Sequence, residues 1–417
     1  MKARLILAIL ICAALAAPAL ATPANTEGVA VRAGKILTMD GDKRVINHGV
    51  MLIKDGKIEA VGKKSEVKIP EGYRVIDAPD RWLFPGMVEG HNHTGGSIRD
   101  LNENVWLTNP GIRALDVIEP GTSILDRGLT GGVTSMLIIP GSGSNMGGFG
   151  IITKVVGDSV EDMTLAYPGS LKIAQAGNPE RYWWRPGRSY MNFNTRQTLL
   201  KAKAYHEKWL AYEKGETKTK PEIDPMWHDF RGLFEKKFPI SVHTQIYQVF
   251  LKTITMLHDE LDLWAVPFHC TFDSFKTAEL VAERDMHICN GPRQLYFDRR
   301  QRKIFGHCER WAAGGVKHIS VNTDCVGGFG IPQEELSYQA TVAARLGFDS
   351  YEALEAVTIA VAEAFGVADR VGSIEVGKDA DVCLWTGNPI DPRSSCTMTM
   401  IDGRVVYDAS KVKQRRF

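Results

Sequence analysis

The chain carries almost no charge imbalance: 50 Lys and Arg stand against 49 Asp and Glu across 417 residues. Without a basic excess it offers no electrostatic footprint for a nucleic-acid backbone. Cysteine is scarce, with seven residues and no CxxC spacing, which excludes a zinc ribbon and a disulfide-built scaffold. Long hydrophobic runs are missing after the N-terminus. The one run there, Leu5 to Ala17, is shorter than the roughly 20 residues that a membrane-spanning helix needs. It follows Lys2 and Arg4 and precedes Ala19-Leu20-Ala21, so residues 1–21 are expected to be a secretory signal peptide. Its removal predicts a periplasmic or secreted protein with no stable membrane insertion, and loss of Lys2 and Arg4 takes the formal charge from +1 to −1. Cys270, Cys289, Cys308, Cys325, Cys383 and Cys396 remain. They are expected mainly as buried thiols, with pairing left open.

What is present is a soluble, globular composition, 44% hydrophobic and 24% charged. Residues 28–83 and 371–411 are β-rich, with Asp40-Gly41, Asp55-Gly56 and Asp402-Gly403 between apolar runs as hairpin turns. Both ends are therefore expected to build one small β-sandwich domain. Residues 84–370 alternate strand and helix patterns. Eight strand candidates begin with the run into His91 and continue at 132–139, 151–156, 170–174, 239–243, 265–269, 286–290 and 318–323. Eight parallel strands in an α/β chain predict a (β/α)8 TIM barrel, whose active site lies at the C-terminal strand ends. Residues 179–238, which contain the aromatic stretch YWWRPGRSY, are expected as a lid-like insertion or an assembly surface. A helix is expected from Asp349 to Phe365, opened by Asp349 with Glu352 and closed by Gly366.

The chemistry gathers at the strand ends. In LFPGMVEGHNHTGG, His91 and His93 are two residues apart, so a strand points both imidazoles to one face. Such a pair can grip one metal ion, although a lone HxH is equally the mark of a solvated polar loop. His243 and His269 end the fifth and sixth strand candidates, Lys172 lies on the fourth, and Asp324 follows the eighth. An ammonium is no metal ligand, but a lysine buried among cations gives up its proton, and the neutral amine can add carbon dioxide to form a carbamate able to bridge two metals. The alternatives for Lys172 are an acidic partner inside the barrel, or transfer of the role to Lys154 in ITKVVG.

These features resemble the amidohydrolase superfamily over nearly the whole mature chain. The likeness rests on LFPGMVEGHNH, SLKIAQAGNPERYW, the later strand-end histidines, Asn322-Thr323-Asp324 and RVGSIEVGKDADVCLWTGNP. Within it the chain is most similar to imidazolonepropionase-related amidohydrolases of uncertain substrate, which share Asp100, Asn102 and Glu103 as DxNE, and the loop Pro140-Gly141-Ser142. The resemblance implies two divalent metal ions, most simply zinc. His91 and His93 would hold the first, N6-carboxylated Lys172 would bridge, His243 and His269 would hold the second, and Asp324 would sit beside the first. It further implies an exported hydrolase cleaving a C–N bond in a cyclic amide, N-acyl amine or dipeptide, by a metal-bridging hydroxide with Asp324 as general base and acid. A lactonase or phosphotriesterase, a deaminase and a catalytically silent exported binding protein are the alternatives. Gln245 stands where many relatives carry a second histidine after the fifth strand, and Cys270 and Cys325 directly follow two of the implied ligands. Asn102, Glu103, Asn145, Asn290 and Arg293 are the substrate-binding candidates. The partner expected is a small-molecule substrate, with homo-oligomer formation left open.

Overall fold

The computed structural model describes residues 28–96, 100–181, 185–327 and 330–412. The expected signal peptide and residues 182–184 of the aromatic stretch lie outside the described residues. No described helix is long and apolar enough to cross a membrane.

Eight strands form one sheet in chain order: Met87–Asn92, Val133–Ile138, Met146–Lys154, Thr164–Ala174, Ile240–Thr244, Ala265–His269, Ile288–Asn290 and Ile319–Val321. Seven are buried along their whole length, as strands covered on both faces must be, and the fourth is buried from Gly169 onward. The sheet nearly closes. The His93 N–H donates to the Cys325 carbonyl at 2.8 Å, and Asn92 bridges Cys325, joining the first strand to the chain leaving the eighth. This is a TIM-like barrel with one correction to the expected eight parallel strands: the third, Met146–Lys154, runs antiparallel to both neighbours. Residues 139–145 connect it to the second strand without a helix, and a link that short makes a hairpin, since a parallel return needs a crossover of a dozen residues or more.

Reversal has a consequence for the two lysines. Lys172 pairs in register with Gly148 near the start of the third strand, whereas Lys154 ends that strand opposite Ser135. Lys154 therefore lies toward the other end of the barrel from His91. There its ammonium is buried among Asp379 at 2.8 Å, Asp381 at 3.2 Å and Asp402 at 2.5 Å.

Those aspartates belong to the C-terminal β-rich stretch. Strands from both chain ends pair in the order Arg404–Asp408, Cys396–Ile401, Val382–Trp385, Arg74–Pro85, Val29–Leu37, Val45–Lys54 and Lys57–Lys63. This is one continuous seven-stranded sheet, and the two-layered sandwich expected from the sequence is not established by its pairing. Its central strand, Arg74–Pro85, passes through Gly86 directly into the first barrel strand. A Cβ on Gly86 would come within 2.1 Å of Thr134 Oγ1, so only glycine allows that tight passage.

The expected insertion and the expected helix each take their own form. The segment 179–238 contains the helix Arg188–Glu213, which packs Leu199 and Ala202 into the main core with Phe230, Leu233 and Phe238. Arg196 pairs with Glu260 at 2.6 Å and pins the same helix to the next crossover. The helix expected over 349–365 is broken into Ser350–Glu355 and Ile359–Ala364. At the break the Ala356 carbonyl accepts from Val321 N–H and the Val357 carbonyl from Val88 N–H, each within 2.9 Å. Satisfying the eighth and first strands there takes those carbonyls out of the helical pattern.

Candidate metal centre

The first strand carries Glu89, His91 and His93 on alternate positions, all buried and all facing inward by the two-residue period. His91 Nε2 and His93 Nε2 are 3.1 Å apart, and Asp324 Oδ1 lies 3.3 and 3.4 Å from them. At a zinc–nitrogen length of about 2.1 Å, that nitrogen separation subtends an angle of roughly 95° at one ion, well within the range a metal accepts. Among the described residues, these three offer donor atoms within 4.8 Å of one another. Beside them His243 Nδ1 and His269 Nε2 are 2.8 Å apart, and Lys172 Nζ is 3.4 Å from His91 Nε2. All six residues expected to converge are thus brought to one end of the barrel.

Backbone carbonyls decide which nitrogens are free. His93 Nδ1 faces the Ile139 carbonyl at 2.8 Å and His269 Nδ1 faces the Gly291 carbonyl at 3.1 Å. A carbonyl only accepts, so each Nδ1 donates its N–H there and each Nε2 is directed into the cluster. His243 Nδ1 has Ser142 Oγ at 2.9 Å as a further neighbour. His91 Nδ1 and His243 Nε2 are buried with no hydrogen-bond partner. Burial, helped by the Lys172 charge, pulls His91 well below the usual imidazole range, and burial does the same to His243 and takes His269 down to about 4. Four buried imidazoles beside a carboxylate are a donor set that fits divalent cations.

Local strain delivers two of the groups. His269 and Cys270 hold φ of 67° and 51°, and Asp324 holds 49°, left-handed values that cost non-glycine residues free energy and cluster at functional sites. Gly177, at φ 86°, passes so close that a Cβ would meet His243 Nε2 at 2.9 Å. Asp324 is the accessible member, with 26% of its side chain exposed against 5% or less for His91, His93 and His269. Burial would raise its carboxyl, but the His93 hydrogen bond and the charge around it bring it below the usual value.

Lys172 is fully buried, and no carboxylate among the described residues lies within ion-pair distance of its ammonium. Its Nζ sits 5.2 Å above the Phe268 ring. Burial draws its pKa down to about 8, with the Asp324 charge only partly opposing. Lys154, by contrast, is held above its ordinary value because three aspartates outweigh its burial. The acidic partner considered for Lys172 is absent among the described residues, and the rival lysine is occupied elsewhere.

Two residues that matter were not singled out from the sequence. Glu89 accepts from the His91 N–H at 2.8 Å and from both the N–H and the hydroxyl of Thr323 at 3.0 and 2.6 Å. It ties the first strand to the residue before Asp324, and burial pushes its carboxyl up to about 8. Its place two residues before His91 was the available signal. Ser142 had been noted only as part of a loop. The substrate candidates divide. Asn145 spends its amide on the Ala174 carbonyl and on Asn194, and Asn290 spends its own on the carbonyls of His269 and Cys270, so both brace the scaffold. Glu103 accepts from Val105 N–H in a local turn, and Asn102 accepts from Gly143 N–H in the loop that carries Ser142. Arg293 is exposed and lies 5.3 Å over the Phe272 ring.

Comparison with known proteins gives a consistent picture. Residues 241–406 match the model of the amidohydrolase family. Amidohydrolase tasK of Hapsidospora irregularis is 24% identical over 406 residues, covering 86% of this chain and 40% of tasK. An imidazolonepropionase of Bacillus cereus is 33% identical over 108 residues, 23% of this chain and 25% of that protein. The chain therefore spans well under two thirds of the length of either curated relative. The crystal structure of an amidohydrolase from Thermotoga maritima MSB8 superposes with a TM-score of 0.77 at 28% identity, covering 91% of this chain and all of that one.

Proposed function

Because the chain belongs to the amidohydrolase superfamily, we propose that it is an exported, metal-dependent hydrolase of a C–N bond in a small molecule, such as a cyclic amide, an N-acyl amine or a dipeptide. One observation carries this reading: a fully buried lysine with no carboxylate partner among the described residues sits 3.4 Å from an imidazole in a cluster of four. Such an ammonium is costly to keep. The neutral amine is relieved of that cost by adding carbon dioxide, forming an N–C bond and releasing one proton to solvent, which leaves a carbamate anion as a second carboxylate beside Asp324. His91 and His93 with Asp324 would then hold one divalent ion, His243 and His269 a second, and carboxylated Lys172 would join them. When bound, the ions supply Lewis acidity toward the scissile carbonyl and toward water.

The chain's own groups do the rest. The Ile139 and Gly291 carbonyls fix the tautomers of His93 and His269, so these donors need no reorganisation. Asp324, the half-buried carboxylate of the cluster, takes a proton from the attacking water on an Oδ atom and delivers it to the departing nitrogen. Its left-handed backbone, anchored through Thr323 to Glu89, keeps that carboxylate facing the mouth. Export is supported by the Lys2, Arg4, Leu5 to Ala17 and Ala19-Leu20-Ala21 pattern. The test is metal analysis of protein reconstituted with zinc and bicarbonate, followed by a panel of N-acyl amino acids, dipeptides, cyclic amides, lactones and nucleobases. Two ions per chain with release of amine is the expected result. Turnover confined to lactones, or a loaded protein inert to every amide, contradicts the reading.

A further inference from the structure

Beyond the strand ends that hold His269 lies a cavity of about 1020 Å³, large enough for a whole metabolite. Its walls include Phe272, Phe275, Arg293, Tyr296, Arg299 and Arg300. Two of them share roots with the ion cluster. Phe272 lies three residues past His269, and Arg293 lies two residues past Gly291, whose carbonyl receives the His269 Nδ1 proton. The Asn290 amide further binds the carbonyls of His269 and Cys270. The backbone that carries Phe272 and Arg293 thus leaves directly from the segments that hold His269.

The wall carries an excess of cations. Lys276, Arg293, Arg299 and Arg300 face one carboxylate, Asp298. Lys276 is taken by Asp273 at 3.2 Å. Asp298 is spent on its own turn, where it accepts from Arg300 N–H at 2.8 Å and Gln301 N–H at 3.1 Å. Among the described residues no carboxylate pairs with Arg293, Arg299 or Arg300. The Arg293 guanidinium rests over the Phe272 ring, which leaves the N–H donors on its edge for a planar, two-oxygen acceptor. The Phe275 and Tyr296 rings, 6.0 Å apart, line the same space with apolar surface.

Resting on the hydrolytic reading above, we propose that this cavity is the subsite for a carboxylate carried by the substrate next to an apolar group, with Arg293 as the residue that selects it. The substrate class is then an anionic amide such as an N-acylated apolar amino acid, and the scissile bond lies between the Arg293 anchor and the ion cluster. The metal-loaded full chain is assayed with N-acetyl-phenylalanine and its decarboxylated counterpart N-acetyl-phenethylamine, and with the matching leucine pair. Wild type should favour the carboxylates in kcat/KM by roughly 10-fold or more, the scale of a charged hydrogen bond. Arg293→Gln should erase that ratio through KM rather than kcat, and Arg293→Lys should restore part of it. Equal use of both members by wild type, or a ratio untouched by R293Q, overturns the proposal. Calorimetric binding of N-acetyl-phenylalanine and N-acetyl-leucine separates the two claims. Binding that R293Q abolishes supports the subsite even if no amide is cleaved, whereas no binding of either by loaded wild type overturns it.

Discussion

Two buried lysines on adjacent barrel strands show how surroundings divide one residue type into two chemistries. Lys154 is enclosed by Asp379, Asp381 and Asp402, stays charged, and joins the barrel to the terminal sheet. Lys172 is at least as buried, meets imidazoles and a phenyl ring, and is driven toward the neutral amine. The lesson is that burial alone does not determine reactivity. The count of nearby carboxylates does, and the reversed third strand sets that count by placing the two lysines at opposite ends of the barrel.

The comparison can be broken in order of expected effect. Lys172→Ala should lower both metal content and turnover, the latter on the order of 10³-fold, about 4 kcal/mol in barrier. Added short carboxylic acids should restore part of it, as judged by assay and metal analysis. Lys154→Met should leave the metal content of the folded protein intact while lowering stability by about 3 kcal/mol, because Asp381 stays buried without its cation, whereas Asp379 keeps Lys57 and Arg370. Chemical denaturation measures that loss. Exchange of these outcomes between the two variants would reverse the assignment.

The third contrast concerns pH. The folded-state pKa of Lys172 is lowered from 10.5 to about 8, which at 1.36 kcal/mol per unit is about 3 kcal/mol of penalty for the charged form. That penalty is complete below pH 8, where folded and unfolded chains both hold the proton. It is relieved as pH rises from about 8 to about 10.5, where only the unfolded chain keeps it. Metal-free Lys172→Met in carbonate-free buffer should therefore be more stable than metal-free wild type at pH 7, with the gap closing toward pH 10. A gap that widens with pH contradicts a depressed value. The smallest effect falls on the half-buried carboxylate: Asp324→Asn should keep most of the metal yet lose about 10²-fold in kcat.

Much of this centre was legible in the chain. His91 and His93 announced themselves by spacing, and Lys172, His243, His269 and Asp324 by standing at the ends of apolar runs. Strand direction was not legible, because a run such as Met146–Lys154 is buried along its whole length and reads the same whichever way it travels. Glu89 lay in plain alternation with the two histidines, but a buried carboxylate gives no sign in sequence of what it bonds. Asn145 and Asn290 look like ligand-binding amides until their partners prove to be backbone carbonyls. The break at Ala356 and Val357 was hidden because the strands that claim those carbonyls are distant in sequence.

The most direct test is carbon-13 NMR of the protein loaded with zinc in ¹³C-bicarbonate, paired with metal analysis of the same sample. A single carbamate resonance present in wild type and Lys154→Met, absent in Lys172→Met, together with two ions per chain, is the predicted result. Two bound ions without any carbamate signal, or a signal that survives Lys172→Met, would contradict the central claim that the unpaired lysine becomes the anion of the site.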